Sequence, residues 1–342
     1  MSKLKKVQPP KCDIKLIYDV TMSLYVYPAI IIAHRIGLFE FIENNKKSFQ
    51  EICDNLKLNK RPAEALLATL LAAHLICRKK EVYYLSEVSR EFLIKQSPNY
   101  FGYFWDMMYE NRENFSLDMI HYAISNNCAP IYNKKEIFDS HKIDKDKLVK
   151  FTQSMHSVSM ASASVWPSLI PLGKYKNVLD IGGGSGAHSI GIAAKWQNLK
   201  CTVFDLPDVC SLAMEFINEY EFNEMINTKP GNMWIDSFPE TDIHLYSNVL
   251  HDWPEDKVEF LLKKSHSFLP KEGMIIIHEI LYNDNLTGPL SAAASSLVML
   301  GWTEGKQYSG REFTSMLVEA GFQNIKIVPA YGYHSLITAH KL

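Results

Sequence analysis

The sequence predicts an α/β protein in which a mainly helical region precedes a mostly parallel sheet with helices on both faces. From about residue 176 onward, apolar strand-like runs alternate with helical segments. Two of these runs, "KNVLDIG" and "GMIIIHEIL", show no alternation of apolar and polar residues, which is typical of parallel strands covered on both faces. A length of 342 residues exceeds what one core usually serves, so we expect two domains.

Composition excludes several classes of protein. Hydrophobic residues make up 47% and charged residues 22% of the chain, as in ordinary globular proteins, and the net charge of -2 offers no basic surface for nucleic acid. The longest apolar run, Val26–Ala33, is far shorter than the roughly 20 residues of a membrane span. The start, "MSKLKKVQPPKCD", lacks the apolar core of a signal peptide. We therefore expect a cytoplasmic protein with no nucleic-acid or membrane partner.

The six cysteines are scattered without CxxC or Cys/His ligand spacing. They are interpreted as reduced thiols, and no metal site is predicted.

The first part of the chain, from residue 14 to about residue 110, is helical in pattern. Its opening, "LIYDVTMSLYVYPAIIIAHRIGLFEFI", is apolar around most of the helix, which predicts burial in the core or between subunits. Ser48 and Glu51 form a capping box. A helix, a turn, a second helix and a short alternating piece, "RKKEVYYLSEVS", then form a winged-helix pattern. The second helix offers few side chains that could contact base edges, which weighs against DNA binding.

Residues 100–165 are rich in aromatic side chains and methionine. Met155, His156, Ser159 and Met160 recur at helical spacing. This pattern fits core packing and the wall of an apolar ligand pocket about equally well, because methionine adapts to irregular shapes.

A glycine-rich turn follows the first strand of the sheet, in "NVLDIGGGSGAHSIGIAA". Its spacing differs from the dinucleotide fingerprint, and no GK[ST] follows, so it is not a phosphate-binding loop. Asp180 precedes the turn, and Asp205 ends the next strand, where a carboxylate can accept both hydroxyls of a ribose. Carboxylates at two strand ends, without a phosphate-binding loop, favour S-adenosylmethionine, a nucleoside that carries a positive charge and no phosphate. The alternative is a glycine turn with two capping aspartates.

A candidate base lies in "SNVLHDWPEDK", just beyond the end of a later strand. Imidazole titrates near neutrality, so His251 is able to take a proton from an acceptor hydroxyl. Glu279 ends the following strand and is expected to orient His251 or stabilise its charged form. His278 lies on the other face of that strand and is interpreted as structural.

Together these stretches resemble the class I small-molecule O-methyltransferases of the plant caffeate/flavonoid and animal acetylserotonin type, with their bacterial relatives. The resemblance covers nearly the whole chain in order, and it rests on "HRIGLFEFI", "VLDIGGGSG", "FDLP", "LHDWPEDK", "HEIL" and "EGKQYSGREFTSMLVEAGF".

The resemblance implies a winged-helix dimerisation domain over residues 1–110, followed by residues 111–342. The second part comprises a helical linker and substrate cap, 111–170, and a Rossmann-like S-adenosylmethionine-binding catalytic domain, 171–342. It also implies a homodimer formed through the N-terminal domain, with a small molecule as methyl acceptor.

The motifs above and the resemblance together predict three sets of site residues. The predicted catalytic residues are His251 as general base and Glu279 as its flanking carboxylate. The predicted cofactor-binding residues are Asp180, Gly182, Gly184, Asp205, Leu206, Asn232, Met233 and Ser247, with Asn232 and Met233 in "PGNMWID" at the adenine. The predicted acceptor-binding residues are Met155, His156, Met160, Asp252, Met299 and Trp302.

The chain departs from the family pattern at three positions. Asn232 stands where an aspartate is usual, Gln307 where plant members have a second carboxylate, and Ser247 where they have a lysine. The bacterial branch is therefore the better comparison. Alternatives remain: N- or C-methylation, a pericyclase- or hydroxylase-like enzyme that keeps the bound cofactor for its charge, or a winged-helix regulator that senses S-adenosylmethionine.

Overall fold

A computed structural model describes residues 9–43, 45–128 and 145–342 of the chain. It divides into two compact units, Met1–Gly102 and Tyr103–Leu342. The division falls at the start of the helix Gly102–Glu110, whereas the sequence predicts a boundary after residue 110.

The first unit combines short helices with a small antiparallel sheet. Its described helices are α1 (Lys15–Arg35), α2 (Leu38–Glu43), α3 (Phe49–Leu56), α4 (Lys60–Ala72) and α5 (Glu87–Phe92). Its described strands are β1 (Lys47–Ser48), β2 (Ile76–Lys79) and β3 (Val82–Leu85), in the order β1-β3-β2. The predicted succession of two helices and a hairpin is present as α3, α4 and the β2–β3 pair.

The capping box at the start of α3 is formed as predicted. The Ser48 hydroxyl accepts the Glu51 backbone N–H, and the Glu51 carboxylate accepts the Ser48 N–H at 2.7 Å. Both bonds satisfy donors that the first helical turn would otherwise leave unpaired.

Helix α1 leaves most of its apolar side chains exposed within the chain. Leu16 is 70%, Val20 65% and Tyr25 66% exposed. Among the described residues, α1 is the helix whose length and composition would suffice to cross a membrane, with a mean hydropathy of 1.6 and 11% of the apolar window buried. The interrupted apolar run had suggested too short a stretch, but the helix continues through Pro28 for 21 residues.

The second unit is built on one large sheet. Its described helices are α6 (Gly102–Glu110), α7 (Leu117–Asn126), α8 (Lys145–Val165), α9 (Ala187–Lys195), α10 (Pro207–Glu219), α11 (Glu255–Phe268), α12 (Leu290–Trp302) and α13 (Gly310–Glu319). Its described strands are β4 (Asn177–Ile181), β5 (Lys200–Asp205), β6 (Ile226–Pro230), β7 (Ile243–Ser247), β8 (Met274–Ile280), β9 (Gln323–Pro329) and β10 (His334–His340).

The strand order is β6-β5-β4-β7-β8-β10-β9, and the chain runs outward from β4 in both directions. The first five strands in this order pair in parallel, whereas β10 pairs antiparallel with β8 and β9. The predicted mostly parallel α/β fold is therefore confirmed. In such a sheet, ligands bind beyond the carboxyl ends of the strands where the winding direction reverses, here at β4 and β7.

Apolar cores lie on both faces of this sheet. Neighbouring residues of β4 contribute to different cores: Leu179 packs with Tyr246 and Phe313, and Val178 packs with Ile190. This arrangement explains why the central strands do not alternate between buried and exposed residues.

Candidate active site

The glycine turn after β4 forms an open cradle. Gly182 has φ +67°, and a Cβ built there would lie 2.9 Å from Cγ2 of Val249, so the turn needs glycine for its conformation and for close approach to the loop after β7. Gly184 has φ +56°, and a Cβ there would meet nothing within 4 Å. The turn therefore contacts the loop that carries His251 and leaves free space beside Gly184.

Asp180 lies beneath this turn with half of its carboxylate unpaired. It is 1% exposed, and its Oδ2 accepts the Ser189 hydroxyl at 2.7 Å. Its Oδ1 is buried and has no hydrogen-bond partner among the residues that the structure describes. Burial raises the pKa of Asp180 to about 6, although the Ser189 hydrogen bond opposes this shift. An unpaired carboxylate oxygen at this place fits a cationic ligand group.

Asp205, at the end of β5, is held by two backbone N–H groups. Gly184 N–H donates to its Oδ2 at 2.9 Å, and Leu206 N–H donates to its Oδ1 at 2.7 Å. Burial raises the pKa of Asp205, and these two bonds oppose the shift. Each oxygen keeps a lone pair, so the carboxylate is able to accept two ribose hydroxyls.

The predicted adenine residues lie in a turn next to Asp205. Gly231 N–H donates to the Asp205 carbonyl at 2.9 Å, which brings the turn to the end of β5. Asn232 Oδ1 accepts the Trp234 N–H at 2.9 Å. The side-chain NH₂ group of Asn232 is therefore the part left to contact a base. Met233 is half-buried and packs against the core.

His251 and Glu279 are brought together by the parallel pairing of β7 and β8. His251 Nδ1 and Glu279 Oε2 are 2.6 Å apart. The other carboxylate oxygen, Oε1, accepts the N–H groups of Val249 and Leu250, each at 3.1 Å. Glu279 is 1% exposed, and it therefore holds both the imidazole and the backbone that carries it.

The charge around His251 favours its protonated form. Burial of the ring lowers its pKa, but Glu279 and Asp252 outweigh burial and raise the pKa of His251 to about 9. Asp252 Oδ1 lies 3.6 Å from His251 Nε2. Burial in turn raises the pKa of Asp252 to about 6, although His251 lowers it. Because the Glu279 carboxylate accepts from Nδ1–H, the neutral imidazole has its lone pair on Nε2.

Ser247 is committed to a buried hydrogen-bond chain. Its hydroxyl lies 2.7 Å from His188 Nε2 and 2.8 Å from His278 Nδ1. Trp166 Nε1–H donates to His188 Nδ1, and His278 Nε2 lies 2.7 Å from the Ser162 hydroxyl. The predicted structural character of His278 agrees with these contacts. A cofactor contact would therefore be a third hydrogen bond of the Ser247 hydroxyl, beside those to His188 and His278.

The α8 residues predicted to line the acceptor pocket have different surroundings. His156 is buried, with Nδ1 2.9 Å from the Ser185 hydroxyl of the glycine turn, and its ring stacks on Phe216 at 4.3 Å. Burial lowers its pKa to about 4. Met160 is 7% exposed and belongs to the core beneath the sheet, whereas Met155 is half-buried. The core interpretation thus describes Met160, and the pocket interpretation of Met155 and His156 stays a prediction.

Helix α12 carries the remaining predicted acceptor residues. Trp302 is 8% exposed and its ring stacks on Phe115 at 5.8 Å; Met299 is half-buried. Gln307 is 2% exposed, and its buried side-chain oxygen has no hydrogen-bond partner within the described part of the chain.

Two residues that support the site were missed by sequence reasoning. Tyr308 donates its hydroxyl to the Trp253 carbonyl at 2.8 Å, and Lys264 donates to two carbonyls of the turn after β6. No local spacing signals either contact, because each joins segments that are distant in the chain.

These residues fit S-adenosylmethionine. The open cradle at Gly184, the unpaired Oδ1 of Asp180 and the two free lone pairs of Asp205 suit a cationic nucleoside without phosphate. Within the described part of the chain, no group of three or more His, Cys, Asp or Glu side chains is arranged to hold a metal ion.

Comparison with known proteins defines the class. A family model described as an O-methyltransferase domain matches residues 119–323. A 3-hydroxy-5-methyl-1-naphthoate 3-O-methyltransferase of Streptomyces sahachiroi is 28% identical over 92% of this chain and 90% of its own. Bovine acetylserotonin O-methyltransferase is 25% identical over 95% of this chain and 97% of its own.

The fold matches solved structures over nearly its full length. The crystal structure of human N-acetylserotonin methyltransferase in complex with S-adenosylmethionine has a TM-score of 0.85 at 22% identity, covering 98% of this chain and 99% of that chain. PigF with S-adenosylhomocysteine has a TM-score of 0.83 at 21% identity, covering 96% and 100% of the two chains.

Fold and site together define an S-adenosylmethionine-dependent methyltransferase. The chain belongs to the O-methyltransferase domain family, and its activity is that of an O-methyltransferase.

Proposed function

We propose that the chain methylates a phenolic hydroxyl of a flat, mostly apolar acceptor, with His251 as general base. The observation that carries this proposal is the 2.6 Å contact between His251 Nδ1 and Glu279 Oε2. It directs the lone pair of the neutral ring to Nε2, which is the requirement for accepting a proton from an acceptor hydroxyl.

S-adenosylmethionine, when bound, supplies a methyl group attached to a cationic sulfur. Asp180, Asp205, Leu206, Asn232 and Met233, with the turn at Gly182 and Gly184, would hold it. His251 Nε2 takes the hydroxyl proton as the acceptor oxygen becomes nucleophilic. Glu279 stabilises the imidazolium that results, and its two backbone contacts keep the loop in place. Much of the acceleration in such a displacement comes from orientation of the reacting groups.

The acceptor class is inferred from the relatives. One is named for a hydroxynaphthoate, another for acetylserotonin and a third for a tetracenomycin polyketide. A pocket that includes Met155, Met299 and Trp302 would suit a fused aromatic ring, and Asp252 would contact its polar edge.

The test is formation of S-adenosylhomocysteine by the purified chain with a panel of hydroxylated naphthoates and N-acetylserotonin. His251→Ala should lower turnover about 100-fold or more, while calorimetry shows unchanged cofactor binding. Undiminished turnover in this variant would remove His251 from the mechanism. An intact cofactor after many product turnovers would favour a different reaction on the same scaffold.

A homodimer formed through the N-terminal unit is part of the proposal. The exposed apolar side chains of α1 support it, since a long helix with so little burial within its own chain requires cover.

A further inference from the structure

We infer that Lys264 is a positioning residue. It holds the turn Gly231–Asp236, here called the base-binding turn, in the conformation that binds the adenine base. The inference rests on the proposed function, because it takes Asn232 and Met233 to contact the adenine ring. Lys264 itself lies on α11, the helix that begins just after the His251 loop.

The contacts of the Lys264 ammonium are specific. Its Nζ donates to the Met233 carbonyl and to the Asp236 carbonyl, each at 2.7 Å. It also lies 4.5 Å from the centre of the Phe238 ring. The lysine thus joins Met233, one of the two predicted adenine contacts, to Asp236 at the end of the turn. Charge-assisted bonds of this kind are stronger than neutral ones.

Besides Lys264, hydrogen bonds within the turn and the packing of Met233 and Trp234 against the core shape this segment. Asn232 N–H donates to the Asp236 carboxylate at 2.8 Å, and the N–H groups of Ile235 and Asp236 return to the Asn232 carbonyl. These bonds are internal to the turn and do not attach it to the body of the protein. Gly231 attaches one end to β5, and Lys264 attaches the other end to α11.

The base-binding turn also contacts the His251 loop. Trp234, in the turn, packs edge-on against Trp253 at 4.7 Å, two residues after His251. Lys264 bonds to Met233, the residue before Trp234, and so holds the backbone next to this contact.

Lys263 offers a matched control. It is the neighbouring lysine on the same helix, but its ammonium pairs with Glu259 at 2.9 Å, one helical turn away. Replacing either lysine by methionine removes one positive charge and keeps an unbranched side chain of similar length. Only Lys264→Met removes the bonds to the turn.

The first measurement is binding of S-adenosylhomocysteine and of methylthioadenosine by calorimetry. Lys264→Met should raise both dissociation constants by the same factor, about tenfold, since a less populated binding-competent turn weakens every ligand that contains adenine. Lys263→Met should leave both constants within about twofold of those of the unmodified chain. Lys264→Arg should restore most of the affinity, because its guanidinium also donates to carbonyls.

A second measurement needs no ligand. Hydrogen exchange of the Trp234, Ile235 and Asp236 amides should be faster in the Lys264→Met variant than in the Lys263→Met variant, while exchange in β4 and β7 stays unchanged. Acceleration everywhere would indicate general destabilisation and would contradict a positioning role.

The outcomes separate the two proposals. If the unmodified chain fails to bind S-adenosylhomocysteine, the proposed function is wrong and this inference falls with it. If the unmodified chain binds and Lys264→Met binds equally well, Lys264 has no positioning role and the proposed function stands.

Discussion

At the scale of single residues, Glu279 determines what His251 is able to do. One carboxylate oxygen lies 2.6 Å from the imidazole Nδ1, and the other accepts two N–H groups of the same loop. With three donors this buried carboxylate is anchored in place, so it sets the tautomer of the ring and raises the pKa of His251. The cost is that the free enzyme holds the imidazole largely protonated at neutral pH, since its pKa is about 9.

The pH dependence of turnover should reveal this cost. Only the neutral imidazole accepts a proton, so kcat/KM for S-adenosylmethionine, which reports the free enzyme, should rise with pH up to about 9. Glu279→Gln removes a stabilising negative charge, so the rise should move to lower pH. The same variant presents an N–H₂ group to Nδ1 and reverses the tautomer, which should lower the plateau about 100-fold or more.

Asp252→Asn is the control for that experiment. It removes the other carboxylate near the ring, 3.6 Å from Nε2, without touching the contact at Nδ1. The rise of kcat/KM should again move to lower pH, but the plateau value of kcat/KM should fall less than in Glu279→Gln. A rise that moves in neither variant would contradict the proposed assignment of His251.

The buried histidine chain allows a second prediction about single residues. Indole N–H is only a donor, so Trp166 forces His188 Nδ1 to accept at 2.9 Å. Burial, with His334 and His156 nearby, lowers the pKa of His188 to about 3, so its one proton lies on Nε2 and is donated to Ser247. Ser247 then donates to His278 Nδ1, and His278 donates through Nε2 to Ser162.

Nitrogen-15 NMR should therefore show His188 and His278 as Nε2–H tautomers that do not titrate near neutral pH. In Trp166→Phe, His188 loses its donor and should populate both tautomers. An Nδ1–H signal from His188 in the unmodified chain would rule out this directed chain.

At the scale of secondary-structure elements, helix α13 depends on a second capping box. The Ser309 hydroxyl accepts the Glu312 N–H at 3.2 Å, and the Glu312 carboxylate accepts the Ser309 N–H at 2.7 Å. Phe313 and Leu317 of this helix belong to the core that also contains Tyr246 of β7. The box thus secures an element that shares a core with Val249 and Leu250, the residues just before His251.

Ser309→Ala should lower the free energy of unfolding by about 1 kcal/mol, because the first-turn N–H of Glu312 loses its acceptor. Urea denaturation measures the change. Ser309→Thr, which keeps an acceptor oxygen, should cost less. Equal stability of the alanine variant and the unmodified chain would show that the cap contributes nothing.

Most elements could be predicted from local pattern, and the exceptions have a physical reason. The strands β4, β7 and β8 are buried along most of their length without in/out alternation, and they were recognised. The edge strand β6, "INTKP", was missed because it has one buried residue, Ile226, and a polar remainder. An edge strand pairs on one side through backbone groups, which leave no mark on side-chain composition.

The candidate site shows the same limit. His251 and Glu279 were predicted together because His251 follows one strand, Glu279 ends the next, and the two strands were expected to be neighbours. Ser247 was expected at the cofactor, but its hydroxyl is engaged by His188 and His278, and neither contact is visible from local spacing. Cross-chain hydrogen bonds depend on register and helix placement, which composition does not encode.

At the scale of the whole molecule, α1 is the feature that the single chain does not account for. Leu24 is 62% and Tyr25 66% exposed. The proposed homodimer would bury this surface against a second copy of the chain. The alternative is that a lipid bilayer covers it.

Light scattering on the purified chain should give the mass of a dimer. Leu24→Glu should shift the equilibrium toward monomer, because a charge in an apolar interface is costly. Val318→Glu, at a 60% exposed position on α13, should leave the mass unchanged. A monomer in the unmodified chain, or co-sedimentation with phospholipid vesicles, would contradict the proposed dimer.

The sequence by itself determined the α/β class, the nucleoside-type cofactor and the identity of the candidate base, because strand apolarity, a glycine turn between carboxylates and a histidine after a strand are local patterns. Tertiary structure alone decided that Oδ1 of Asp180 has no hydrogen-bond partner among the described residues, that Ser247 belongs to a histidine chain and that Lys264 donates to the Met233 carbonyl. Each of these depends on atoms from segments far apart in the chain meeting within hydrogen-bond distance, and only the packed sheet and helices bring them there.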